Sequence, residues 1–313
     1  MKPESVTIES YNTLPDPKVS VVTVNYYCLD EILKSYKSIE KHSTNINFEY
    51  IIVSNSPIEF KHKARLRNCS RLSQTIELES NKGFSFANNI GAKHADGEYI
   101  FFLNPDTRFY NNALQILLHT FKQYPRAGIL GPQTLDREGN KAGSIKNHIS
   151  YLTLFHEALP LLKWFTSEQF WDGHYRKYQT GYVDIVNGSA LFIPKNLFFE
   201  IGGMNESFFL YWEENDLCLK IREQNYKVLY VNEAIVQHHG KITTKKNFIP
   251  LEIERHRSRK KFINQYRQEL SVLNRLTGIF SFFWRTLFSL ALFRISKVKQ
   301  FGALLTWYLF HYK

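Results

Sequence analysis

Continuous apolar runs alternate along the chain with segments whose apolar positions recur every three or four residues. The first run, "VSVVTVNYY" (19–27), is rich in valine, which is typical of a strand buried on both faces. Helical spacing follows in residues 30–42. Further strands are predicted at 48–56, 73–80, 98–107 and 126–133, and further helices at 84–95 and 111–124. This alternation predicts an α/β fold with a mostly parallel central sheet flanked by helices.

The pattern changes after residue 133. Residues 134–182 are rich in Gly, Lys, His and aromatic residues, which predicts a long functional loop with a helix near 151–164. Two short strands are expected around the turn pair Asn187-Gly188, and a helix closed by Gly202 follows. Residues 227–240 are predicted to form a strand pair that ends in two histidines.

The net charge of +11 is concentrated at the C-terminal end. Residues 241–313 carry a net +12, whereas residues 1–240 carry −1. The apolar runs 278–293 and 301–312 are interrupted by basic residues and fall short of the roughly 20 residues that span a bilayer. Apolar, aromatic and basic residues mixed in this way favour helices lying in a membrane interface. A helix pair packed on the body or on a second subunit, and a nucleic-acid arm, are the alternatives; no aromatic RNA-binding motif or zinc finger supports the last.

Composition limits the remaining classes. The 313 residues, 43% hydrophobic and 22% charged, suit one large domain or one domain with an appendage. Three separated cysteines without a CxxC motif predict neither a disulfide framework nor a zinc site. The first residues lack an apolar signal segment, so cytosolic synthesis is expected. We expect an N-terminal extension (1–17), a main domain (18–241) and a helical membrane-association region (242–313).

Polar residues gather where the predicted strands end, at the edge where α/β sheets bind ligands. They are Asn25, Ser54, Asn55, Asn104 and Asp106. Asp106 follows a buried strand and a proline in "FFLNPDT", and a single carboxylate can hold Mg²⁺ or Mn²⁺ when a diphosphate supplies further oxygens. An aspartate that only caps a turn is the alternative.

Two further motifs carry candidate ligand contacts. In "NKGFSFANNIG", Gly83 allows a tight turn beside a ligand, although an ordinary loop-to-helix junction has the same pattern. In "VQHHG", His238 and His239 should point to opposite faces of a strand. His239, beside Gly240, is the better candidate for a phosphate or metal contact, and a structural histidine is the alternative.

The stretch "LYWEENDLCLKI" (210–221) places Glu213 and Glu214 in the first turn of a predicted helix. The helix dipole stabilises anions there, which suits a general base. The apolar "FFLYW" immediately before them indicates a walled pocket, whereas favourable N-terminal charge alone is the alternative.

These segments, in this order over residues 18–241, resemble the inverting family-2 glycosyltransferases, which have the GT-A fold, and most closely their bacterial rhamnosyltransferase-like branch. The resemblance implies that Asp106 binds the metal, that His239 lies near the diphosphate, and that Glu214 is the catalytic base with Glu213 beside it. It also implies a nucleotide site formed by Val24, Asn25, Tyr26, Ser54, Asn55, Asn81, Gly83 and Asn104.

The expected function follows from the resemblance and the tail. It is the Mg²⁺- or Mn²⁺-dependent transfer of a sugar to a lipid-linked or polysaccharide acceptor in bacterial surface glycan synthesis. The expected sugar is rhamnose, donated by dTDP-rhamnose. The expected partners are the nucleotide-sugar donor, a glycan or lipid-linked acceptor, the anionic inner face of the cell membrane and a second copy of the chain, but not nucleic acid. The family usually carries aspartate at Ser54 and Glu-Asp at Glu213-Glu214, so an inactive nucleotide-sugar-binding or scaffold protein is the alternative.

Overall fold

The computed structural model describes residues 6–158, 179–240 and 248–312. The chain divides into two compact units. The sheet unit comprises residues 1–147, 175–209 and 213–240, and the helical unit comprises residues 148–174, 210–212 and 241–313.

The sheet unit is built on one large mixed sheet. Its strands and those of a separate two-stranded sheet are β1 (Val6–Ser10), β2 (Val19–Asn25), β3 (Phe48–Ser54), β4 (Leu72–Leu78), β5 (Tyr99–Leu103), β6 (Thr107–Phe109), β7 (Ala127–Leu135), β8 (Ile145–Lys146), β9 (Gly181–Val183), β10 (Ile185–Val186), β11 (Ala190–Pro194) and β12 (Lys227–His238). The order in the large sheet is β1-β4-β3-β2-β5-β11-β7-β12-β6, with β9 beside β12; β8 pairs with β10. Strands β4-β3-β2-β5 are parallel, and β11 runs antiparallel between β5 and β7.

Both units contain helices. In the sheet unit they are α1 (Leu29–His42), α2 (Phe60–Arg67), α3 (Phe84–Lys93), α4 (Ala113–Gln123), α6 (Lys195–Glu200) and α7 (Glu213–Glu223). In the helical unit they are α5 (Tyr151–Ala158), α8 (Phe248–Tyr266), α9 (Ser271–Ala291), α10 (Ile295–Thr306), a 3₁₀ turn (Gln268–Leu270) and a π-helical turn (Trp307–His311). The part of the predicted helix 151–164 beyond Ala158 lies outside the described residues.

The core of the sheet unit lies on both faces of the sheet. Alternate residues of β2 belong to different hydrophobic clusters, with Val19 and Val21 in one and Val22 and Val24 in the other. Because successive side chains of a strand point to opposite faces, the sheet is covered on both sides, as the continuous apolar runs predicted. This burial fixes the strands whose ends carry the candidate site.

One predicted element differs from the structure, and another is followed by an unpredicted strand. The strand in 98–107 ends at Leu103 and runs into the Asn-Pro-Asp turn as predicted, and residues 107–109 then form an unpredicted pairing with β12 at the sheet edge. The expected strand pair at 227–240 is one strand, β12, whose register against β7 shifts between Val231 and Ile235. The shift lies beside Pro132, which has no backbone N–H to donate to the ladder. Strand β1 and helix α2 were not predicted, and α2 carries only two buried residues, so its sequence shows little periodicity.

The helical unit has its own small aromatic core. Phe282 of α9 packs with Leu304 of α10 and with Trp307, Tyr308 and Tyr312. Gly278 brings α9 against the Tyr308 ring, since a Cβ added at this glycine would lie 2.2 Å from Tyr308 Cε1. Along the described ranges, the helices are all too short or too polar to cross a membrane.

Gly278→Ala should destabilise the helical unit by about 1–3 kcal/mol, because the tightly packed Tyr308 ring must move. Gly302→Ala on α10 is the matched control. No atom lies within 4 Å of a Cβ at Gly302, and alanine in a helix interior should add about 1 kcal/mol of stability. Chemical unfolding of both variants measures the difference, and equal effects would contradict the packing assigned to Gly278.

Candidate active site

Asp106 lies in a turn that leaves the sheet after β5. The Thr107 N–H donates to the Asn104 carbonyl at 3.1 Å and closes the turn. The carboxylate of Asp106, 8% exposed, accepts a hydrogen bond from His238 Nε2 at 3.1 Å. Burial alone would raise the pKa of Asp106, but the hydrogen bond and charge of His238 outweigh it and lower that pKa below its usual value. The carboxylate is therefore ionised at neutral pH.

The two histidines at the end of β12 divide the contacts with Asp106. His238 supplies its ring, whereas His239 supplies its backbone N–H, which donates to the Asp106 carbonyl at 3.0 Å. Sequence analysis favoured His239 over His238, and the ring beside the carboxylate is that of His238. Burial and the charges of Arg108 and Arg137 lower the pKa of His239, so its ring is neutral. Its buried Nε2 has no hydrogen-bond partner among the described residues, and its role as a metal or diphosphate ligand stays a prediction.

These groups fit a cation that arrives together with a diphosphate. In the described ranges, no cluster of three or more His, Cys, Asp or Glu residues could hold a metal alone. Mg²⁺ commonly takes one or two protein carboxylates plus substrate phosphate oxygens. Ionised Asp106 supplies the protein carboxylate of that smaller requirement.

Asn25 and Ser54 join the ends of neighbouring strands. Asn25 Nδ2 donates to Ser54 Oγ at 2.6 Å and to Ser56 Oγ at 3.2 Å, and both predicted site residues are almost fully buried. The Asn55 N–H donates to the Asn25 carbonyl at 2.8 Å. The side chains of Asn25 and Ser54 are therefore engaged in hydrogen bonds that shape the strand ends. Of the two chain neighbours of Asn25, Val24 is buried and Tyr26 is 43% exposed.

Asn55 holds the loop that contains Asn81 and Gly83. Its amide accepts from the Lys82 N–H at 3.2 Å and donates to the Gly83 carbonyl at 3.1 Å. Gly83 has φ of +94°, and a Cβ there would lie 2.5 Å from the Phe209 carbonyl oxygen, so only glycine fits. The exposed Asn81 accepts from the Gly83 N–H at 3.0 Å. The loop is thus fixed while Asn81 faces solvent, as a ligand contact requires.

The predicted base lies at the start of α7. Glu213 and Glu214 are each 5% exposed although they are charged residue types. Lys146 of β8 forms an ion pair with Glu214. Sequence analysis missed Lys146 because residues 134–182 show no periodic pattern that would place it. Tyr211 and Trp212, just before Glu213, have φ of +69° and +72°, a conformation that costs about 1–3 kcal/mol per residue and clusters at functional sites.

The surroundings of Glu213 favour its protonated form. Burial and the charge of Glu214 raise the pKa of Glu213 to about 8. Its Oε2 has no hydrogen-bond partner among the described residues. At neutral pH the Glu213 carboxyl is therefore protonated, and the position suited to accept a proton is Glu214.

One short turn, residues 187–189, contacts both halves of the site. The Asn104 N–H donates to the Ser189 carbonyl at 2.9 Å, which attaches the Asp106 turn. On the other side, a Cβ added at Gly188 would lie 3.4 Å from Glu214 Cβ, so this glycine lies against the glutamate. The turn itself is held by Asn187, whose Nδ2 donates to the Gly143 carbonyl at 2.8 Å. The turn that carries Asp106 and the first residues of α7 therefore both contact residues 187–189.

The sequence and fold were compared with known proteins. Residues 20–189 match the family model "Glycosyl transferase family 2". The chain is 27% identical over 216 residues to the "Low-salt glycan biosynthesis hexosyltransferase Agl10" of Haloferax volcanii, with 67% of this chain and 63% of that protein covered. It is 28% identical over 146 residues to the "N-acetylglucosaminyl-diphospho-decaprenol L-rhamnosyltransferase" of Mycobacterium tuberculosis, with 45% of this chain and 47% of that protein covered. It thus spans less than two thirds of the length of either relative.

Among solved structures, the mannosyltransferase PcManGT from Pyrobaculum calidifontis, in complex with GDP-Man and Mn²⁺, is similar in fold. The TM-score is 0.57 at 14% identity, with 100% of this chain and 92% of that chain covered. The fold is that of a GT-A glycosyltransferase domain. The chain belongs to glycosyl transferase family 2, and the predicted family and fold class are confirmed.

Glu213→Gln should make the folded protein less sensitive to alkaline pH. The folded-state pKa of about 8 lies above the ordinary 4.5, so the folded protein binds more protons between these values and loses stability as pH rises from about 5 to 8. Glutamine keeps the neutral form at every pH. Thermal unfolding at pH 6 and pH 9 should show a smaller decrease in Tm for Glu213→Gln than for the wild type. Glu223→Gln, at an exposed position of the same helix, should show the same decrease in Tm as the wild type. A decrease in Glu213→Gln equal to that of the wild type would refute the raised pKa of Glu213.

Proposed function

We propose that the protein is a metal-dependent inverting glycosyltransferase that moves a sugar from a nucleotide-sugar donor to an acceptor hydroxyl. The observation that carries this proposal is the turn 187–189, which contacts the Asp106 turn through Ser189 and Glu214 through Gly188. Inverting transfer requires a charge-neutralising group at the leaving diphosphate and a base at the acceptor, on opposite sides of one sugar carbon. Two functional groups arranged around one turn meet this requirement.

In this mechanism Glu214 accepts the proton of the acceptor hydroxyl as the new bond forms at the sugar carbon. Protonated Glu213 does not compete for that proton below about pH 8. Lys146 orients the Glu214 carboxylate through the ion pair. The Lys146 side chain is 47% exposed, so it can move aside when an acceptor enters.

The leaving side of the reaction belongs to Asp106. Asp106 and His239 would hold a Mg²⁺ or Mn²⁺ ion, which neutralises charge on a departing nucleoside diphosphate. His238 keeps the Asp106 carboxylate ionised and fixed in direction. Asn81 and Tyr26 are exposed, which supports a role for both in contacting the nucleoside.

We assign rhamnose from dTDP-rhamnose as the donor and a lipid-linked or polysaccharide acceptor in surface glycan synthesis. The support is the named activity of the Mycobacterium tuberculosis relative and the glycan role in the name of the Haloferax volcanii relative. A nucleotide-sugar-binding protein without turnover is the second candidate. The observations in its favour are the Lys146 ion pair, which occupies Glu214, and the Ser54 side chain, which is bound to Asn25.

Glu214→Gln should lower sugar transfer by about 100-fold or more while donor binding persists, since glutamine cannot accept the proton. Asp106→Asn should lower transfer to a similar extent and also weaken Mn²⁺-dependent donor binding. Transfer rates with dTDP-rhamnose and a panel of nucleotide sugars, together with calorimetry of donor binding, measure both effects. Glu223→Gln is the matched control on α7 and should keep the wild-type rate. Full rates in both site variants would refute the assigned roles, and binding without turnover in the wild type would favour the second candidate.

We also propose that the helical unit rests on the anionic inner face of the cell membrane. The support is the row of exposed apolar residues on α9, which comprises Leu276, Phe280, Phe283, Trp284, Leu287 and Phe288. Their spacing of three or four residues places them on one side of the helix. The surrounding excess of Lys and Arg is complementary to anionic lipid.

Phe288→Glu combined with Trp284→Glu should weaken binding to phosphatidylglycerol vesicles at least about tenfold, because each aromatic ring contributes buried apolar area in the interface. Vesicle co-sedimentation over a salt series measures this. Phe60→Glu, which changes an 88% exposed phenylalanine of the sheet unit, is the control and should bind like the wild type. Unchanged co-sedimentation of the double variant would exclude this face of α9 as the membrane contact.

A further inference from the structure

The helical unit contains a cavity of about 320 Å³ that the glycosyl-transfer site does not use. Helices α8, α9 and α10 and the π-helical turn form its wall. The lining residues are Glu252, Arg255, His256, Arg259, Asn274, Thr277, Gly278, Ser281, Phe282, Arg285, Phe301, Leu304 and Tyr308. Its size lies at the lower end of small-molecule sites, about 300–1,000 Å³, which suits a compact polar ligand.

The charge of the cavity wall is strongly positive. Arg255, Arg259 and Arg285 contribute three guanidinium groups. Among the described residues of the wall, Glu252 is the one acidic side chain, and it pairs with Arg255 at 2.9 Å. Three guanidinium groups therefore line the described part of the wall together with one carboxylate.

The guanidinium groups are held by packing rather than extended into solvent. Arg259 is 9% exposed. Arg285 lies against aromatic rings, 5.6 Å from the Phe282 centroid and 5.9 Å from the Phe301 centroid. Such packing fixes the planar group and reduces the entropy that a bound ligand would cost it.

The neutral groups of the wall offer further polar contacts. Asn274 is 1% exposed and donates through Nδ2 to the Tyr312 hydroxyl at 2.5 Å, while its Oδ1 has no hydrogen-bond partner among the described residues. His256 Nδ1 lies 2.8 Å from the Tyr308 hydroxyl. Burial and then the charges of Arg259, Arg255 and Arg285 lower the pKa of His256 to about 3. The imidazole is therefore neutral, and the arginines dominate the potential in the cavity.

We propose that this cavity binds a phosphate or diphosphate group. Guanidinium groups that converge on one cavity attract an anion, and arginine forks match phosphate oxygens bidentately. Other positions of α9 carry the exposed apolar row, so this helix presents Arg285 to the cavity and lipid-compatible residues to solvent. The phosphate group can come from a phospholipid headgroup, from an isoprenoid diphosphate or from a free anion. The proposal does not depend on the glycosyl-transfer function.

Calorimetric titration with inorganic pyrophosphate tests the proposal in the full chain. EDTA is present to remove metal ions, and constant ionic strength keeps charge screening the same in every titration. Arg285→Gln and Arg259→Gln should each weaken pyrophosphate binding at least tenfold. Arg257→Gln is the matched control, because Arg257 lies on α8 as Arg259 does, is 60% exposed and does not line the cavity. It should bind within twofold of the wild type.

Two further measurements keep the test decisive. Arg285→Lys retains the charge but not the fork, so it should fold like the wild type and bind with intermediate affinity. Binding of farnesyl diphosphate and of phosphatidylglycerol vesicles is compared between Arg285→Gln and Arg257→Gln. The probe whose binding differs more between these two variants identifies the source of the phosphate group. Equal binding of all three probes by Arg285→Gln and Arg257→Gln would overturn the proposal. Sugar transfer should persist in Arg285→Gln, so failure of this proposal is distinct from failure of the proposed function.

Discussion

The backbone hydrogen bond from the Asn104 N–H to the Ser189 carbonyl is the constraint on which the site depends. It exists because β11 enters the sheet antiparallel between β5 and β7, which places the start of β11 beside the end of β5. The turn that precedes β11 then lies against the first turn of α7 through Gly188. The geometry of the site is therefore set by strand pairing and not by the length of a flexible loop, which is the rigidity that aligned displacement at one carbon requires.

The two carboxylates at the start of α7 have the same exposure but different surroundings. Glu213 Oε2 has no hydrogen-bond partner among the described residues, whereas Glu214 forms an ion pair with Lys146. Burial and the charge of Glu214 raise the pKa of Glu213 to about 8, so Glu213 holds a proton at neutral pH. The surroundings therefore distinguish two adjacent glutamates, and the second is the proposed base.

The sequence predicted the fold well where hydrophobic periodicity dominates. Strands β2, β3 and β7 are buried along their whole length, and their continuous apolar runs identify them without tertiary information. Such patterns do not show which strands pair with each other, so the insertion of β11 and the position of β6 at the far edge of the sheet could not be predicted. Asp106, Glu214 and the Asn81–Gly83 loop could be proposed as site residues from the sequence because turn chemistry and charge stand out locally. Lys146 was not identified, because its partner Glu214 lies 68 residues away in the chain. The arginine-lined cavity was not identified, because its lining residues come from several helices.

The shifted register of β12 has a consequence for how this family can vary. Residues 232–234 have no counterpart on β7, and Asn111 bonds to both sides of this bulge, to the Glu233 carbonyl and the Ile235 N–H. Side chains alternate along a strand, so the number of bulged residues decides by parity which histidine meets Asp106. Loss of one residue there would exchange the two imidazoles without changing either. A length change within the bulge, upstream of the two histidines, can therefore act as a substitution within the candidate site.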